Sequence, residues 1–373
     1  MQIAPDWNRV LKTVKFEEPD RVPMSEVLIA YDIQSQFLGR TVTPEDLPAQ
    51  VEFWSQAGYD YIPITVGMME PGKVTENSHV SKILKKLHEA DDPNTGDSGG
   101  PEATGQPSDG GQSKDGDKSW NLEVSSFIHD MREFEAFPWD ELAKLDYSKL
   151  RDLAALLPEG MKAIGVSGKI FTLTWMLMGF NDFAMSLVRN SQLLAAIFEK
   201  VAQIQYSAVD TILAMPHVGG IWAVDDLAYN SGPIVSVKHL EKYVFPWYKE
   251  IAKRCHKAGK LFFLHSDGKL DALLPSFIEM GLDVIQPIDP TCNEIAKIKK
   301  KVDGKLCVVG NVPNDMLQEA QPEDIKSYVR TLLSEVAPGG GFMLGSGNSV
   351  PDWAKFENYQ ALRETALSEG AYR

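Results

Sequence analysis

Short apolar runs, rather than strict alternations of apolar and polar residues, recur along most of this chain. Runs of this kind are typical of strands whose two faces are both covered by helices. They predict eight strands, at residues 22–29, 61–66, 163–166, 220–224, 261–265, 283–288, 306–310 and 341–345.

Amphipathic stretches with the period of a helix lie between most of these runs. Several have recognisable ends. Gly259 follows a stretch whose last turn carries three basic residues, and Pro322 opens another stretch with acidic residues in its first turn, as helix termini favour. The clearest helices are predicted at 48–57, 182–189, 192–215, 237–258, 270–280 and 324–336.

The alternation of strands and helices predicts a (β/α)8 TIM barrel that forms a single domain over residues 1–373. The rival fold is a doubly wound open sheet, which usually has a glycine-rich phosphate-binding turn after its first strand. Here the first strand leads into Ser25, Glu26, Val27 and Leu28, without a glycine. The barrel is therefore the favoured fold.

One segment interrupts this pattern. Residues 91–118 contain no aromatic residue and no aliphatic side chain larger than that of alanine. Such a segment cannot bury enough apolar surface to offset its chain entropy, so we predict a disordered insertion without catalytic residues. A lid over a substrate is the alternative, although lids usually carry some apolar residues that dock on closing.

Composition narrows the class of protein. The net charge of −15 argues against a nucleic-acid partner, because the phosphate backbone would be repelled. No apolar run reaches the roughly 18–20 residues of a membrane span, and the first residues lack the pattern of a signal peptide. Three scattered cysteines fit a reducing compartment. These observations predict a soluble, cytoplasmic chain of the size of an enzyme.

Chemistry in a parallel α/β fold collects where the strands end. The apolar run 261–264 ends on His265, and Asp267 and Gly268 follow two and three residues later. We predict His265 and Asp267 as catalytic residues, together with Glu26 from the first predicted strand. The alternative is that His265 is a buried polar residue bonded to backbone and that Asp267 and Gly268 form a simple turn.

Residues at the other predicted strand ends would line the opening of the site. They include several carboxylates and one apolar wall, which suits a flat organic substrate. Two alternatives stay open: an aspartate after a strand often caps a helix, and tryptophan and methionine clusters are often core. The predicted substrate-binding residues are Ser167, Trp175, Met176, Asp225, Gln286 and Asn348.

A metal site is a separate hypothesis for the same residues. His265 and Asp267 are two residues apart, so both side chains would face the same side of an extended strand. A third ligand could come from Glu26, Asp225 or Asp226. The familiar zinc spacings, such as two cysteines separated by two residues, do not occur. His265 and Asp267 are therefore candidate metal ligands as well as candidate acid–base residues.

Motifs in a fixed order carry a family resemblance. They begin with Asn8-Arg9-Val10-Leu11 and with Glu18-Pro19-Asp20-Arg21-Val22-Pro23, and continue through Asp225-Asp226-Leu227 and Leu264-His265-Ser266-Asp267-Gly268. They close with Gly310-Asn311-Val312 and the segment 337–342. The chain resembles the uroporphyrinogen decarboxylase superfamily and, within it, the corrinoid-dependent methyltransferases. This resemblance implies a (β/α)8 barrel.

The chain also departs from both branches of that superfamily. The decarboxylases carry an arginine-rich segment after the first strand that holds the acidic porphyrinogen, whereas this chain has Glu26 and no arginine there. A substrate with many carboxylates would meet repulsion. The methyltransferases hold zinc with a histidine and two cysteines. Here His265 is kept, but Asp267 and Gly347 stand near the cysteine positions, which implies an oxygen-rich site.

The resemblance, with these departures, implies a methyltransferase that moves a methyl group from a small methylated compound, an aryl methyl ether being one candidate, to a corrinoid carried by a partner protein. Zinc is a candidate cofactor and a homodimer a candidate assembly. The alternative is a decarboxylase for a smaller or less acidic substrate than uroporphyrinogen. A third reading is a barrel that only binds a ligand or a corrinoid partner.

Overall fold

The structure, a computed structural model, describes residues 4–66, 127–189, 191–302 and 304–372. The predicted disordered insertion at 91–118 lies outside the described residues. Helices and strands are numbered below in chain order over the described residues.

Parallel strands form the central sheet. Seven of them are hydrogen-bonded in the order β1-β2-β3-β6-β7-β8-β9, and every neighbouring pair is parallel. The strands β4 and β5 form a separate antiparallel hairpin. The strand bounds are β1 Tyr61–Thr65, β2 Lys162–Val166, β3 Val218–Val224, β4 Ala228–Tyr229, β5 Gly232–Pro233, β6 Leu261–His265, β7 Val284–Gln286, β8 Cys307–Val312 and β9 Phe342–Ser346.

Helices connect most of these strands, as a parallel sheet requires. In the described residues they are α1 Trp7–Val14, α2 Tyr31–Leu38, α3 Leu47–Gln56, α4 Met131–Ala136, α5 Trp139–Leu142, α6 Ser148–Leu156, α7 Phe171–Met178, α8 Phe180–Arg189, α9 Gln192–Leu213, α10 Val237–Tyr243, α11 Phe245–Lys257, α12 Leu274–Met280, α13 Ile295–Val302, α14 Asn314–Glu319, α15 Pro322–Glu335 and α16 Phe356–Glu369.

The described residues fall into two compact units. The first comprises 4–66, 144–172, 198–302 and 304–372, and it holds all nine strands. The second comprises 127–143, 173–189 and 191–197. Within the second unit, Trp139 packs against Phe134 and Phe137, with ring centroids 5.3 and 4.7 Å apart. The prediction of a single domain stays a prediction.

The core of the first unit lies on one face of the curled sheet. Every strand of the seven-stranded sheet contributes a buried side chain to one apolar cluster, among them Tyr61, Trp222 and Phe263. Helix α1 adds Trp7, whose indole lies against Gly219 so closely that a Cβ there would come within 2.6 Å. A single face that collects residues from all seven strands shows that the sheet bends around this core.

The predicted first strand, 22–29, is the main difference from the sequence prediction. Met24 forms an isolated parallel bridge with Leu344 of β9, and Ile29 forms another with Val350. Pro23 has no backbone N–H to donate, which interrupts a continuous ladder. The other seven predicted strands are confirmed to within two residues at each end.

Prolines also correct two predicted helices. The predicted helix at 237–258 is two helices, α10 and α11, because Pro246 stands at the start of α11 and cannot continue the preceding helix. The predicted helix at 270–280 begins only at Leu274, followed by Pro275 in its first turn. Among the described residues, no helix has the length and apolar character that a membrane crossing requires.

Candidate functional site

Three neighbouring strands bring the candidate residues together at their carboxyl ends. Val224, the last residue of β3, pairs with His265, the last residue of β6. His265 pairs in turn with Gln286, the last residue of β7. Residues 225–226 and 266–267 directly follow the first two of these strands. The register therefore places the chain segments after β3 and β6 side by side, as predicted for a site at strand ends.

His265 faces two carboxylates. Its Nε2 atom lies 3.6 Å from Oδ1 of Asp267 and 3.9 Å from Oδ1 of Asp226. Both distances exceed a hydrogen bond. The three side chains are not equally covered, since His265 is 8% exposed and the carboxylates of Asp226 and Asp267 are 23% and 21% exposed. The carboxylates can thus be reached by water or a small ligand, while the imidazole lies behind them.

Gln286 fixes which nitrogen of His265 faces these carboxylates. Oε1 of Gln286 lies 2.6 Å from Nδ1 of His265, and Nε2 of Gln286 donates to the backbone oxygen of Asn348 over 2.5 Å. Because the amide nitrogen of Gln286 donates to a carbonyl, the amide oxygen must face His265 and accept a hydrogen bond from Nδ1–H. Nε2 therefore presents a lone pair, or a second proton, to the carboxylates.

Asn348 holds the other side of the cluster. Its Nδ2 atom donates to both oxygens of Asp267, each at 2.8 Å. The backbone oxygen of Asn348 accepts from Nε2 of Gln286, and Oε1 of Gln286 accepts in turn from Nδ1 of His265. A closed chain of contacts therefore runs through Asp267, Asn348, Gln286 and His265. Movement of any one member would displace the others, so this part of the site is preorganised.

The donor set fits a divalent cation. Asp226, His265 and Asp267 each offer one ligand atom, and these atoms lie within 4.8 Å of one another. In the described part of the chain this is the one group of three histidine, cysteine or acidic residues so placed. Two ligand atoms that each lie about 2.1 Å from one ion in tetrahedral geometry are about 3.4 Å apart. The distances from Nε2 of His265 to Oδ1 of Asp267 and of Asp226, 3.6 and 3.9 Å, are close to this value. A cation placed between Nε2 and the two carboxylates would be attracted by both negative charges.

Cys307 supplies no ligand. It belongs to the buried core cluster of the sheet, and burial raises the pKa of its thiol far above the ordinary range. Its Sγ is not among the ligand atoms that lie within 4.8 Å of one another. The candidate donor set is therefore rich in oxygen, and the metal site stays a prediction. The sequence had left the third ligand open among Glu26, Asp225 and Asp226, and the structure brings Asp226 to His265 and Asp267.

Glu26 has a different environment from the cluster. It is fully buried, and its two oxygens accept from the backbone N–H and the hydroxyl of Ser346, each at 2.7 Å. Burial raises the pKa of Glu26 to about 8, although both hydrogen bonds act in the opposite direction. Its contacts are to the end of β9 rather than to His265 or Asp267. Its predicted catalytic role stays a prediction.

Asp225 is bonded to the start of a helix. Its carboxylate accepts from the backbone N–H groups of Phe171 and Thr172, at 2.7 and 2.8 Å, and from the hydroxyl of Tyr248 at 2.5 Å. Burial raises its pKa. Asp225 thus satisfies the first free N–H groups of α7. Capping was the alternative that the sequence left open, and its predicted substrate contact stays a prediction.

The remaining predicted substrate-binding residues lie in both units. Ser167 follows β2, and its hydroxyl donates to Gln205 over 3.3 Å. Trp175 and Met176 lie on α7 in the second unit, where the ring of Trp175 packs edge-on against Phe180 with centroids 6.0 Å apart. A packed Trp175 agrees with the core alternative, and a substrate wall formed by Trp175 and Met176 stays a prediction.

Three comparisons with known proteins place the chain among its relatives. The sequence profile described as Uroporphyrinogen decarboxylase (URO-D) matches residues 126–368. A uroporphyrinogen decarboxylase of Actinobacillus succinogenes is 25% identical over 236 residues, which cover 59% of this chain and 63% of that protein. The match thus spans less than two thirds of that relative.

A solved structure shares the fold over nearly the full length. It is described as a methyltransferase from Methanosarcina mazei, with a TM-score of 0.62 and 15% sequence identity, over 96% of this chain and 97% of the other. At this identity the likeness shows the fold alone. The family profile covers well over half of the chain, and the predicted resemblance is confirmed at this level: the chain belongs to the uroporphyrinogen decarboxylase family.

Proposed function

We propose that this protein transfers a methyl group from a small methylated compound to the cobalt of a corrinoid carried by a partner protein. The observation that carries the proposal is the orientation of His265. Its Nε2 atom faces Asp226 and Asp267 because Gln286 occupies Nδ1. This arrangement can hold a proton or a cation beside the carboxylates, and methyl transfer needs one of the two.

The chemistry explains the need. Transfer breaks the bond between the methyl carbon and its heteroatom, and the electron pair of that bond stays on the heteroatom. The nucleophile, the reduced cobalt of the acceptor, supplies the pair for the new bond. A leaving oxygen that keeps its full negative charge is a poor leaving group, so a proton donor or a Lewis acid at that oxygen lowers the barrier. We assign this help to His265 and the two carboxylates.

A metal ion would be held by Asp226, His265 and Asp267. Bound there, a divalent cation would act as a Lewis acid on the leaving heteroatom. Imidazole and carboxylate ligands suit zinc and harder divalent cations, and thiolates are not needed. Without a metal, a proton on Nε2 of His265 would be the donor, with the two carboxylates stabilising the imidazolium.

The comparisons support this proposal in part. The chain belongs to the uroporphyrinogen decarboxylase family, and the solved structure that shares the fold is described as a methyltransferase. We extend its activity to this chain and include in the proposal a corrinoid protein as partner, an aryl methyl ether as one candidate donor, and closure of the sheet into an eight-position barrel through Met24. A homodimer stays a prediction.

The test is methyl transfer to free reduced cobalamin, used as a probe for the partner's corrinoid. Under anaerobic conditions, a panel of methylated oxygen, nitrogen and sulfur compounds is supplied, and methylation of cobalt is followed by absorbance. We expect turnover with at least one donor and its loss in His265→Ala by at least about 100-fold. His256→Ala is the matched control, because His256 lies on α11, pairs with Asp283 and is 46% exposed. Absence of turnover with every donor, or normal turnover by His265→Ala, would contradict the proposal.

Decarboxylation is a second candidate because the family profile and the curated relative both bear the name of that activity. The site argues against a highly acidic substrate. It presents the carboxylates of Asp226 and Asp267, and Ser25, Glu26 and Val27 occupy the segment where an arginine-rich motif would pair substrate acids. Incubation with uroporphyrinogen, with release of carbon dioxide as the measured product, distinguishes the two. Release in the absence of any methyl transfer would favour the decarboxylase.

A further inference from the structure

The pairing of β3 with β6 continues one step past the last strand residues. In a parallel ladder, alternate residues of one strand use both their N–H and their C=O groups on the other strand. The N–H of Asp225 follows this rule, since it donates to the carbonyl of His265 over 2.9 Å. The next bonds of the same ladder would join Leu227 N–H to the carbonyl of Asp267, and Asp267 N–H to the carbonyl of Asp225.

Side chains take the place of both expected bonds. The N–H of Leu227 donates to the hydroxyl of Ser266 over 2.9 Å, and that hydroxyl donates in turn to the carbonyl of Asp267 over 3.4 Å. The N–H of Asp267 donates to Oδ1 of Asp226 over 3.1 Å. The hydroxyl of Ser266 is therefore inserted between two backbone groups that would otherwise bond directly.

This insertion coincides with the candidate metal ligands. Ser266 stands in sequence between His265 and Asp267 and is fully buried. One hydrogen bond of about 2.9 Å is replaced by two in series, which moves the two chain segments apart at the position where Asp226 and Asp267 face His265. The hydroxyl thus acts as a spacer in the backbone beneath the site.

The chain beyond Asp267 is fixed independently. The side chain of Asn293 donates to the carbonyl of Gly268 over 2.8 Å and accepts from the N–H of Leu270 over 3.3 Å. Gly268 has φ of +90°, and a Cβ there would lie 2.5 Å from the carbonyl oxygen of Ala228. Since the turn is held at both sides, loss of the Ser266 hydroxyl would act mainly on the segment between His265 and Gly268.

We propose that Ser266 is a positioning residue whose hydroxyl sets the separation of the Asp226 and Asp267 carboxylates around His265, and thereby the affinity of this group for a divalent cation. The inference rests on the proposed metal site. It assigns to Ser266 no contact with substrate or metal. Residues that orient ligands in this way typically change metal affinity by about 10–100-fold when removed.

The experiment compares three variants with the unaltered protein. Ser266→Ala removes the spacer, and Ser266→Thr keeps a hydroxyl at the same position. Ser276→Ala is the matched control, because the buried hydroxyl of Ser276 on α12 bonds to Glu241 over 3.3 Å, outside the metal-ligand group. Zn²⁺ and Co²⁺ affinities are measured by calorimetric titration, and the visible absorption of bound Co²⁺ reports its coordination geometry.

We expect Ser266→Ala to bind both ions about 10–100-fold more weakly with an altered Co²⁺ spectrum. Ser266→Thr and Ser276→Ala should keep the affinity of the unaltered protein. Both alanine variants should lose some thermal stability, so stability alone does not separate them. If the unaltered protein binds neither ion, the proposed metal site is wrong. If it binds them and Ser266→Ala binds equally well with the same spectrum, the positioning role of Ser266 is wrong.

Discussion

Oε1 of Gln286 accepts a hydrogen bond from Nδ1 of His265 over 2.6 Å. The two residues end neighbouring strands and lie 21 positions apart in the sequence. Through this one bond, Gln286 determines that Nε2, and not Nδ1, is the ring nitrogen of His265 that points toward Asp226 and Asp267.

Replacement of Gln286 by methionine should release the imidazole. Methionine has a similar length but offers no strong acceptor to Nδ1, so the two neutral tautomers of His265 would both be populated. We expect methyl transfer or metal affinity to fall about 10–100-fold. Nitrogen NMR of the histidine ring reports the tautomer directly. The exposed Gln203→Met on α9 is the control, and an unchanged tautomer in Gln286→Met would refute the assignment.

Glu26 should make the protein less stable as pH rises. Its pKa is about 8 in the folded protein against an ordinary value of 4.5. Below 4.5 the carboxyl is protonated in both states. Between 4.5 and about 8 the unfolded chain releases the proton and the folded chain keeps it, so the free energy of unfolding falls. At about 1.4 kcal/mol per pKa unit, the loss is on the order of a few kcal/mol.

Glu26→Gln removes the ionisable group and can keep both contacts to Ser346. We expect a flatter pH profile between 4.5 and 8 and higher stability than the unaltered protein at alkaline pH. Denaturant unfolding at several pH values measures both effects. The exposed Glu17→Gln serves as control, and a profile for Glu26→Gln parallel to that of the unaltered protein would contradict the raised pKa.

The Asp225–Tyr248 contact should be coupled energetically. Both groups are buried, and the hydroxyl of Tyr248 donates to Asp225 over 2.5 Å. Tyr248→Phe should lower the free energy of unfolding by about 1–3 kcal/mol, because one acceptor site of a buried carboxylate loses its partner. Asp225→Asn should also destabilise, since its new amide faces the N–H donors at the start of α7. The double variant should lose less than the sum; strict additivity would show that the contact contributes nothing.

A buried ion pair near the amino end of the chain should be sensitive to loss of one partner. Arg9 binds Asp60, which is fully buried, and also Asp20 over 2.7 Å. Arg21 is the other cation near Asp60, at 3.6 Å. Arg9→Met should lower the free energy of unfolding by roughly 3 kcal/mol, because the buried carboxylate of Asp60 loses a hydrogen-bonded cationic partner.

The control for this pair lies on the surface. Arg330 binds Glu369 over 2.8 Å, with both side chains more than 40% exposed. Arg330→Met should change the free energy of unfolding by at most about 1 kcal/mol, since water screens the pair. Denaturant titration measures both variants, and equal losses would show that burial of Asp60 does not decide the effect.

Local patterns accounted for most of the secondary structure. The predicted strand 261–265 and the observed β6 have the same bounds, because a short apolar run between polar turns has few alternatives. Prolines limited the accuracy of the predicted helix bounds, since a helix begins beside Pro246 and another beside Pro275, where the pattern predicted no helix start. The segment 22–29 shows a different limit of local patterns. A strand forms only where its backbone pairs with another strand, and Met24 pairs with Leu344 at a single position.

The sequence by itself determined the family and the parallel α/β architecture, because both follow from residues close together in the chain or from motif order. It also predicted a site at the strand end of His265. It did not determine which acid joins His265 and Asp267. Asp225 and Asp226 are neighbours whose side chains point in opposite directions on an extended chain. Only the pairing of Val224 with His265 turns Asp226 toward the imidazole and leaves Asp225 to the start of α7. That register is a contact between residues 41 positions apart, and tertiary structure alone can set it.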